Sequence, residues 1–291
     1  MLNSRRFHCR RHEDNMEHIM WENGSAVLKR TDSSTYHESM QRLAVASERI
    51  IRKYYRSAMP VDMKSDHSPV TDADRETEAT MRELLMQEYP DHGILGEEYG
   101  PYQEHARYQW VLDPIDGTKS FISGMPLFGT LIALCDRGTP IMGCINLPIL
   151  GLRFIGTAKE TRMNGQPVRM RTPTSVHEAT LLVTDHTDVW RHKDGKLFDR
   201  LAARVGVFRS WGDCYGYTML ASGYADIMAD PVLKPWDMLP IIPVIQGAGG
   251  MITSWEGGDP LQSNSLVASH PDVHSDIISL LNRPPATEEH C

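Results

Sequence analysis

The string Asp113-Pro114-Ile115-Asp116-Gly117-Thr118 constrains this chain more than any other segment. It follows Trp110-Val111-Leu112, an apolar run with the composition of a buried strand. Pro114 fixes one backbone angle and Gly117 frees another, so the chain leaves the strand through a rigid turn. Two carboxylates three residues apart across such a turn can face one centre. Clustered carboxylates repel one another unless a cation joins them, and oxygen-only ligand sets select hard cations such as Mg²⁺. A turn that opens into a helix also offers free N–H groups to a phosphate. Strand ends are where sites collect in α/β sheets.

Other acids stand at comparable places. Glu97 follows the short apolar run Ile94-Leu95-Gly96, and Asp237 follows Trp236 at the start of a predicted helix. Taken singly, Asp237 reads as a first-turn helix acid and Glu97 as a surface acid. Three acidic positions at strand ends or helix starts read together as one cation site.

The elements around them follow from periodicity. A helix begins near Thr35, with Leu43, Ala46, Ile50 and Tyr54 on its inward face. A second begins at Thr71-Asp72-Ala73-Asp74, with Thr77, Met81, Leu84 and Leu85 inward. Residues 129–135 and 141–147 predict a hairpin, and from Leu181 onward strands and helices alternate, including a helix over 237–246 despite Pro240 and Pro243. A helix pair, a sheet and then alternation predict layered α/β packing.

Composition narrows the partners. The net charge of −8 supplies no basic field for nucleic acid. The five cysteines are odd in number and form no C-x-x-C pair, which argues against a zinc site or disulfide framework and for a reducing cytoplasm. No apolar run approaches the ~20 residues that span a bilayer, so no membrane role is expected. Arg5, Arg6, Arg10 and Arg11 hint at a transit peptide, but Glu13, Asp14 and Glu17 argue against one.

Gly96-Glu97-Glu98, the 113–118 string with Phe121, and Trp236-Asp237 with Gly247-Ala248-Gly249-Gly250 resemble the inositol monophosphatase superfamily in order and spacing, over roughly residues 36–282. The resemblance implies an αβαβα sandwich of the inositol monophosphatase/fructose-1,6-bisphosphatase type and a Mg²⁺-dependent phosphomonoesterase. It implies that Glu97, Asp113 and the Ile115 carbonyl hold one metal, and Asp113, Asp116 and Asp237 a second. Glu97 would serve a third, weaker one through water, and Mn²⁺ could substitute. Thr118 resembles the threonine that orients the attacking water, paired with Asp74. The Gly117 and Thr118 N–H groups resemble phosphate contacts, and Lys64 a lysine near the metals. A homodimer is implied as well. The expected organisation is a poorly ordered extension over 1–34 and one phosphatase domain over 35–282. Residues 35–175 of that domain carry the metals and 176–282 the substrate specificity, and 283–291 form a loose tail.

The segment Trp211-Gly212-Asp213-Cys214-Tyr215-Gly216-Tyr217, with Asp230-Pro231 and Leu233-Lys234-Pro235, resembles the histidinol-phosphate phosphatases of that superfamily. Histidinol phosphate carries an ammonium and an imidazole, which acids and a tyrosine can bind. Asp213, Asp230, Asp185 and Tyr215 are therefore the candidate substrate contacts. Plainer readings stand beside these: Tyr215 and Tyr217 as core aromatics, Cys214 as a small buried hydrophobe, Asp213 as a helix cap, and His67, His92, His105 and His186 as surface residues. Two other functions compete. One is an inositol-phosphate or broad sugar-phosphate phosphatase. The other is a binding partner of the transcription machinery, which the intact metal positions disfavour.

Overall fold

The computed structural model describes residues 17–22, 25–30 and 33–283, except 59, 66, 67 and 174. Residues 1–16 of the expected extension, 284–291 of the expected tail, and His67 lie outside the described residues. The described residues fall into two compact units divided after Arg42. In the first, β1 (Glu17–Glu22) and β2 (Ser25–Arg30) pair as an antiparallel hairpin, where the sequence predicts no regular element.

Helix α1 spans Ser33–Tyr54. From residue 43 onward its buried face is Leu43, Ala44, Ser47 and Ile51, whereas Ala46, Ile50 and Tyr54 of the expected stripe are half-buried. The Ser47 hydroxyl donates to the Ala44 carbonyl at 2.9 Å. A small hydroxyl satisfied within its own helix therefore sits in the core, and the stripe is turned by one residue.

After the short pair β3 (Val61–Met63) and β4 (Pro69–Thr71) comes α2 (Asp72–Glu88). Thr71 caps it, its hydroxyl accepting from the Ala73 N–H at 3.2 Å. Leu84 of the expected stripe lies on the solvent side at 38% exposure, while Asp74, Thr77 and Glu78 are buried with Met81 and Leu85. A helix face carrying buried acids is the first sign of a polar site beneath it.

The main sheet follows: β5 (Gly93–Gly96), β6 (Gly100–Tyr102), β7 (Tyr108–Asp116), the short helix α3 (Thr118–Ile122), β8 (Gly129–Asp136), β9 (Thr139–Leu147), β10 (Leu152–Gly156), β11 (Thr161–Met163) and β12 (Gln166–Val168). Its strand order is β12-β11-β10-β9-β8-β7-β5-β6. The second half gives β13 (Thr180–Leu182), α4 (His186–His192), α5 (Gly195–Ala202), β14 (Val207–Arg209), α6 (Asp213–Ala221), β15 (Ile227–Asp230), α7 (Pro235–Gly247), β16 (Met251–Thr253), β17 (Leu266–Ser269) and α8 (Pro271–Asn282). Its sheet order is β14-β13-β15-β17-β16.

Layering follows from the contacts. Helix α2 packs on β7 of the large sheet. Helix α7 lies on β7, β8, β9 and β10 and also meets α6 and β16, while α6 meets β15, so the two helices fill the space between the sheets. Helices α5 and α8 pack together, with α8 on β17 outside the small sheet. The fold is thus mixed α/β with alternating helical and sheet layers. The buried core between the sheets gathers Leu131, Ile145, Phe154, Leu220, Ile241 and Leu266, among others.

Two glycines allow α7 to sit close. A Cβ at Gly143 would lie 2.0 Å from the Pro240 carbonyl oxygen, and one at Gly156 would lie 2.6 Å from the Val244 Cα. The Thr161 hydroxyl then donates to the Val244 carbonyl at 2.7 Å. Prolines 240 and 243 remove two N–H donors from α7, yet the helix persists because its apolar length is buried on both sides. Among the described residues no helix is long and apolar enough to cross a membrane.

Candidate active site

Residues three apart on a regular strand face opposite sides of a sheet. Asp113 and Asp116 escape that rule because the β7–β8 register shifts between them: Asp113 pairs with Leu131, but Asp116 with Gly129. The extra residue is a bulge, which re-aims side chains at a strand end. The Thr130 hydroxyl pins it by donating to the Pro114 carbonyl at 2.9 Å. Asp237, in the first turn of α7, reaches the same point, its Oδ2 accepting from the Lys234 N–H at 2.8 Å. Carboxylate oxygens of Asp113, Asp116 and Asp237 lie within 4.8 Å of one another.

Glu97 arrives from the neighbouring strand. Strand β5 runs parallel to β7 with Gly96 beside Leu112, and the Glu97 N–H donates to the Leu112 carbonyl at 3.1 Å. Its Oε1 receives the Lys64 ammonium at 2.7 Å, and the same ammonium reaches Glu98 Oε1 at 2.6 Å. Burial opposes the charge on Lys64, but these two hydrogen bonds hold its pKa above the ordinary value.

Electrostatics show what the cluster favours. Burial, then the charges of Glu97, Asp116 and Asp237, push Asp113 well above the usual carboxylate range. Burial, then Asp213 and Asp237, do the same to Asp116, and burial pushes Asp237 up to about 7. Two buried carboxylate oxygens, Asp113 Oδ1 and Asp74 Oδ1, have no hydrogen-bond partner. Buried acids that crowd together with an unpartnered oxygen fit a divalent cation, whose charge reverses the cost of gathering them.

Thr118 opens α3 after Gly117, which adopts a left-handed φ of 84°. A Cβ at Gly117 would also meet Asp213 Oδ2 at 2.9 Å, so glycine is required twice over. The Thr118 hydroxyl donates to the Ile115 carbonyl at 3.0 Å. Asp74 does not take that hydroxyl. Its Oδ2 accepts from the Thr71 N–H at 2.7 Å and the Thr71 hydroxyl at 2.6 Å, and burial raises its pKa to about 6.

A cavity of about 170 Å³ adjoins the cluster, lined by Asp116, Asp185, Asp188, Asp213, Asp230 and Asp237 with Thr184, Cys214 and Tyr217 among others. It shares Thr184, Asp185, Asp188, Asp213 and Asp237 with a wider cleft of about 460 Å³, which also carries Glu97, Gly117, Thr118 and Lys119. Asp185 caps α4, accepting from the Thr187 N–H at 2.8 Å. Asp213 begins α6 as its first residue, preceded by Gly212, rather than capping it. Burial and then the Asp230 charge raise Asp213 to about 6. Asp230 is fully buried, with Oδ1 on the Thr184 N–H at 3.0 Å and Oδ2 on the Tyr217 hydroxyl at 2.8 Å. Cys214 is buried as expected, and its N–H donates to Asp116 Oδ2.

Tyr215 does not line either space; it packs half-buried against the core between the sheets. Tyr217 lines the cavity instead. Helical spacing explains the exchange: Tyr217 is four residues from Asp213 and shares its face, whereas Tyr215 is two residues away and does not. Asp188 is the other cavity acid that motif reading passes over. It lies in α4, a helix that hydrophobic periodicity does not announce. His92 is buried, accepting from Trp110 Nε1 at 3.1 Å, so it is not a surface residue; His105 is exposed.

A profile of the inositol monophosphatase family matches residues 32–285. The chain belongs to that family. It is similar to the bifunctional phosphatase IMPL2, chloroplastic, of Arabidopsis thaliana, with 42% identity over 252 residues covering 82% of this chain and 72% of that one. It is 33% identical over 242 residues to the histidinol-phosphatase of Chlorobaculum parvum, covering 82% and 93%. A solved inositol monophosphatase from Zymomonas mobilis is 34% identical, with a TM-score of 0.78 over 87% of this chain and 100% of that one. As a member of this family the chain is a phosphoric monoester hydrolase, and the acidic cluster is its candidate metal centre.

Proposed function

We propose that the chain hydrolyses L-histidinol phosphate to L-histidinol and phosphate with the help of Mg²⁺. The observation that carries this reading is the cavity beside the metal centre: six aspartates line it and, among the described residues, no lysine or arginine does. Cations held by Asp113, Asp116 and Asp237 would leave Asp185, Asp213 and Asp230 facing the rest of the substrate, with Asp188 already paired to Arg191 at 2.7 Å. An amino-alcohol ester with an ammonium and an imidazole gains charge pairing in that environment that a neutral polyol lacks. The likeness to a histidinol-phosphatase supports the same choice.

In this reading Glu97, Asp113 and the Ile115 carbonyl would hold one cation, and Asp113, Asp116 and Asp237 another. Such ions supply charge neutralisation for the phosphoryl group and acidify a bound water. The chain's own residues do the positioning. Gly117 and Thr118 line the cleft, and their N–H groups would contact the phosphate there. The Thr118 hydroxyl donates to the Ile115 carbonyl and would have to turn from it to orient the attacking water, with the unpartnered Oδ1 of Asp74 as the proposed acceptor for its proton. The distal acids fix the cationic end of the substrate, which aligns the ester for in-line attack.

Phosphate release on a panel tests this: histidinol phosphate, inositol 1-phosphate, fructose 1,6-bisphosphate and adenosine 3′,5′-bisphosphate, with Asp113→Asn as the inactive control. The expected result is a kcat/KM for histidinol phosphate about a hundredfold above the others. A lead for inositol 1-phosphate, or equal rates, overturns the substrate reading. No turnover with intact Mg²⁺ binding favours a binding role.

A further inference from the structure

The Glu78 carboxylate is fully buried, at 0% side-chain exposure, and it belongs to no ligand set assigned above. It lies in α2 but serves the turn between β5 and β6. Glu78 Oε2 accepts from the Glu98 N–H at 2.7 Å, and Oε1 accepts from the Tyr99 N–H at 3.2 Å. Arg82, one helical turn further along α2, donates to Glu78 Oε1 at 2.9 Å and to the Gly100 carbonyl at 2.9 Å. The three-residue turn Glu97-Glu98-Tyr99 is thus held from inside by an ion pair. A Cβ at Gly96 would lie 1.9 Å from Glu78 Oε1, so the carboxylate occupies the space that any larger residue there would need.

We propose that Glu78 is a positioning residue for cation binding. It fixes the Glu97-Glu98-Tyr99 turn, and thereby the direction in which Glu97 presents its carboxylate to the Asp113 centre. The proposal rests on the metal reading above. Fixing a ligand before the ion arrives spares the ordering cost at binding, and partners of this kind typically change metal affinity by about 10–100-fold. Packing alone needs no charge at this position. A buried carboxylate with three donors converging on one turn specifies the path of that turn.

The test is Mg²⁺ titration by calorimetry, without substrate, of the full chain and of Glu78→Gln. The amide retains the shape but turns an N–H₂ group toward N–H donors. The expected result is a Kd for Mg²⁺ raised about tenfold, kcat at saturating Mg²⁺ within about twofold, and faster amide exchange at Glu98 and Tyr99. A lowered melting temperature with an unchanged Kd marks a purely structural role and overturns the proposal. If Glu78→Gln does not accumulate folded, Arg82→Gln carries the test, since it leaves the carboxylate and removes one donor. A Kd raised about threefold supports the proposal there, and an unchanged Kd overturns it. Wild-type protein that binds no Mg²⁺ overturns the metal reading itself, a result distinct from normal binding by the variants.

Discussion

The Tyr217 hydroxyl donates to Asp230 Oδ2 at 2.8 Å in the floor of the acidic cavity. With the Thr184 N–H on Oδ1, both oxygens of this acid are already engaged. In the proposed reading Asp230 would act on a substrate cation as a fixed charge, with Tyr217 setting its orientation. Tyr217→Phe leaves one buried oxygen short of a donor, at a cost of about 1–3 kcal/mol in stability. It is expected to lower kcat/KM on histidinol phosphate about tenfold and on glycerol phosphate no more than about twofold. Equal losses on both esters would show that the hydroxyl serves packing alone.

The Lys64 ammonium holds the Glu97 carboxylate that the metal reading assigns to a cation. One positive charge must yield when another arrives. Lys64→Met removes the competitor and leaves Glu97 and Glu98 unneutralised. Calorimetry without substrate is expected to show Mg²⁺ binding tightened about fivefold at low ionic strength, with the gain shrinking as salt rises. Weaker binding in the variant would mean that Lys64 organises the site and does not compete for it.

The site was partly legible because its turn chemistry is local. Pro114 and Gly117 announce a break in the strand, which is a bulge inside β7 followed by the Gly117 turn, and acids beside it announce a cation. Whether Asp113 and Asp116 face one side depends on the bulge against Leu131 and Gly129, residues more than ten positions away. Glu78 was invisible for the same reason, since two of its donors lie 20 and 21 residues later. Tyr217 could have been preferred to Tyr215 by helical spacing from Asp213. The inward face of α1 is ambiguous in the sequence where Ile50 and Ile51 adjoin, because either can face inward unless Ser47 satisfies itself within the helix.

Close packing of α7 gives a prediction independent of catalysis. Gly143→Ala places a methyl 2.0 Å from the Pro240 carbonyl oxygen, a backbone atom that cannot rotate away. The helix must shift off β9. The expected loss is about 2–3 kcal/mol in urea unfolding, whereas Gly138→Ala, with no neighbour within 4 Å but a φ of 81°, loses only its turn strain of about 1 kcal/mol. Equal losses would contradict the tight α7–sheet contact.

The raised carboxylates set a pH dependence. Asp237 sits at about 7, and Asp213 and Asp74 at about 6, each chiefly through burial. Unfolded, these acids titrate near ~4. Between those values the folded chain binds more protons than the unfolded chain, so their contribution to stability falls as pH rises from about 4 to about 7. Below that window nothing is lost, and above it the whole loss is present. A bound divalent cation removes the penalty at Asp237 and its neighbours. The rise in melting temperature on adding Mg²⁺ should therefore be larger at pH 8 than at pH 5, by about 5 °C or more. An equal rise at both pH values would place the cation away from these acids.

Asp113→Asn brings these terms together. Asp113 is a buried acid with one oxygen unpartnered and three carboxylates beside it, and each of these pushes its pKa up or leaves it unsatisfied. The amide has nearly the same shape, carries no charge and can donate to a neighbouring carboxylate. Removing the repulsion should raise the melting temperature of metal-free protein at pH 8 by about 3 °C or more, although a buried polar group has been altered. The same substitution deletes the residue shared by both proposed cation positions. Added Mg²⁺ should then give no thermal stabilisation, and phosphate release should fall below detection. Opposite signs in the two measurements follow from a cluster whose arrangement favours a bound cation over the empty fold. If Asp113→Asn instead lowers the metal-free melting temperature, then Asp113 supports the fold through its contacts and the strain assigned to the cluster is wrong.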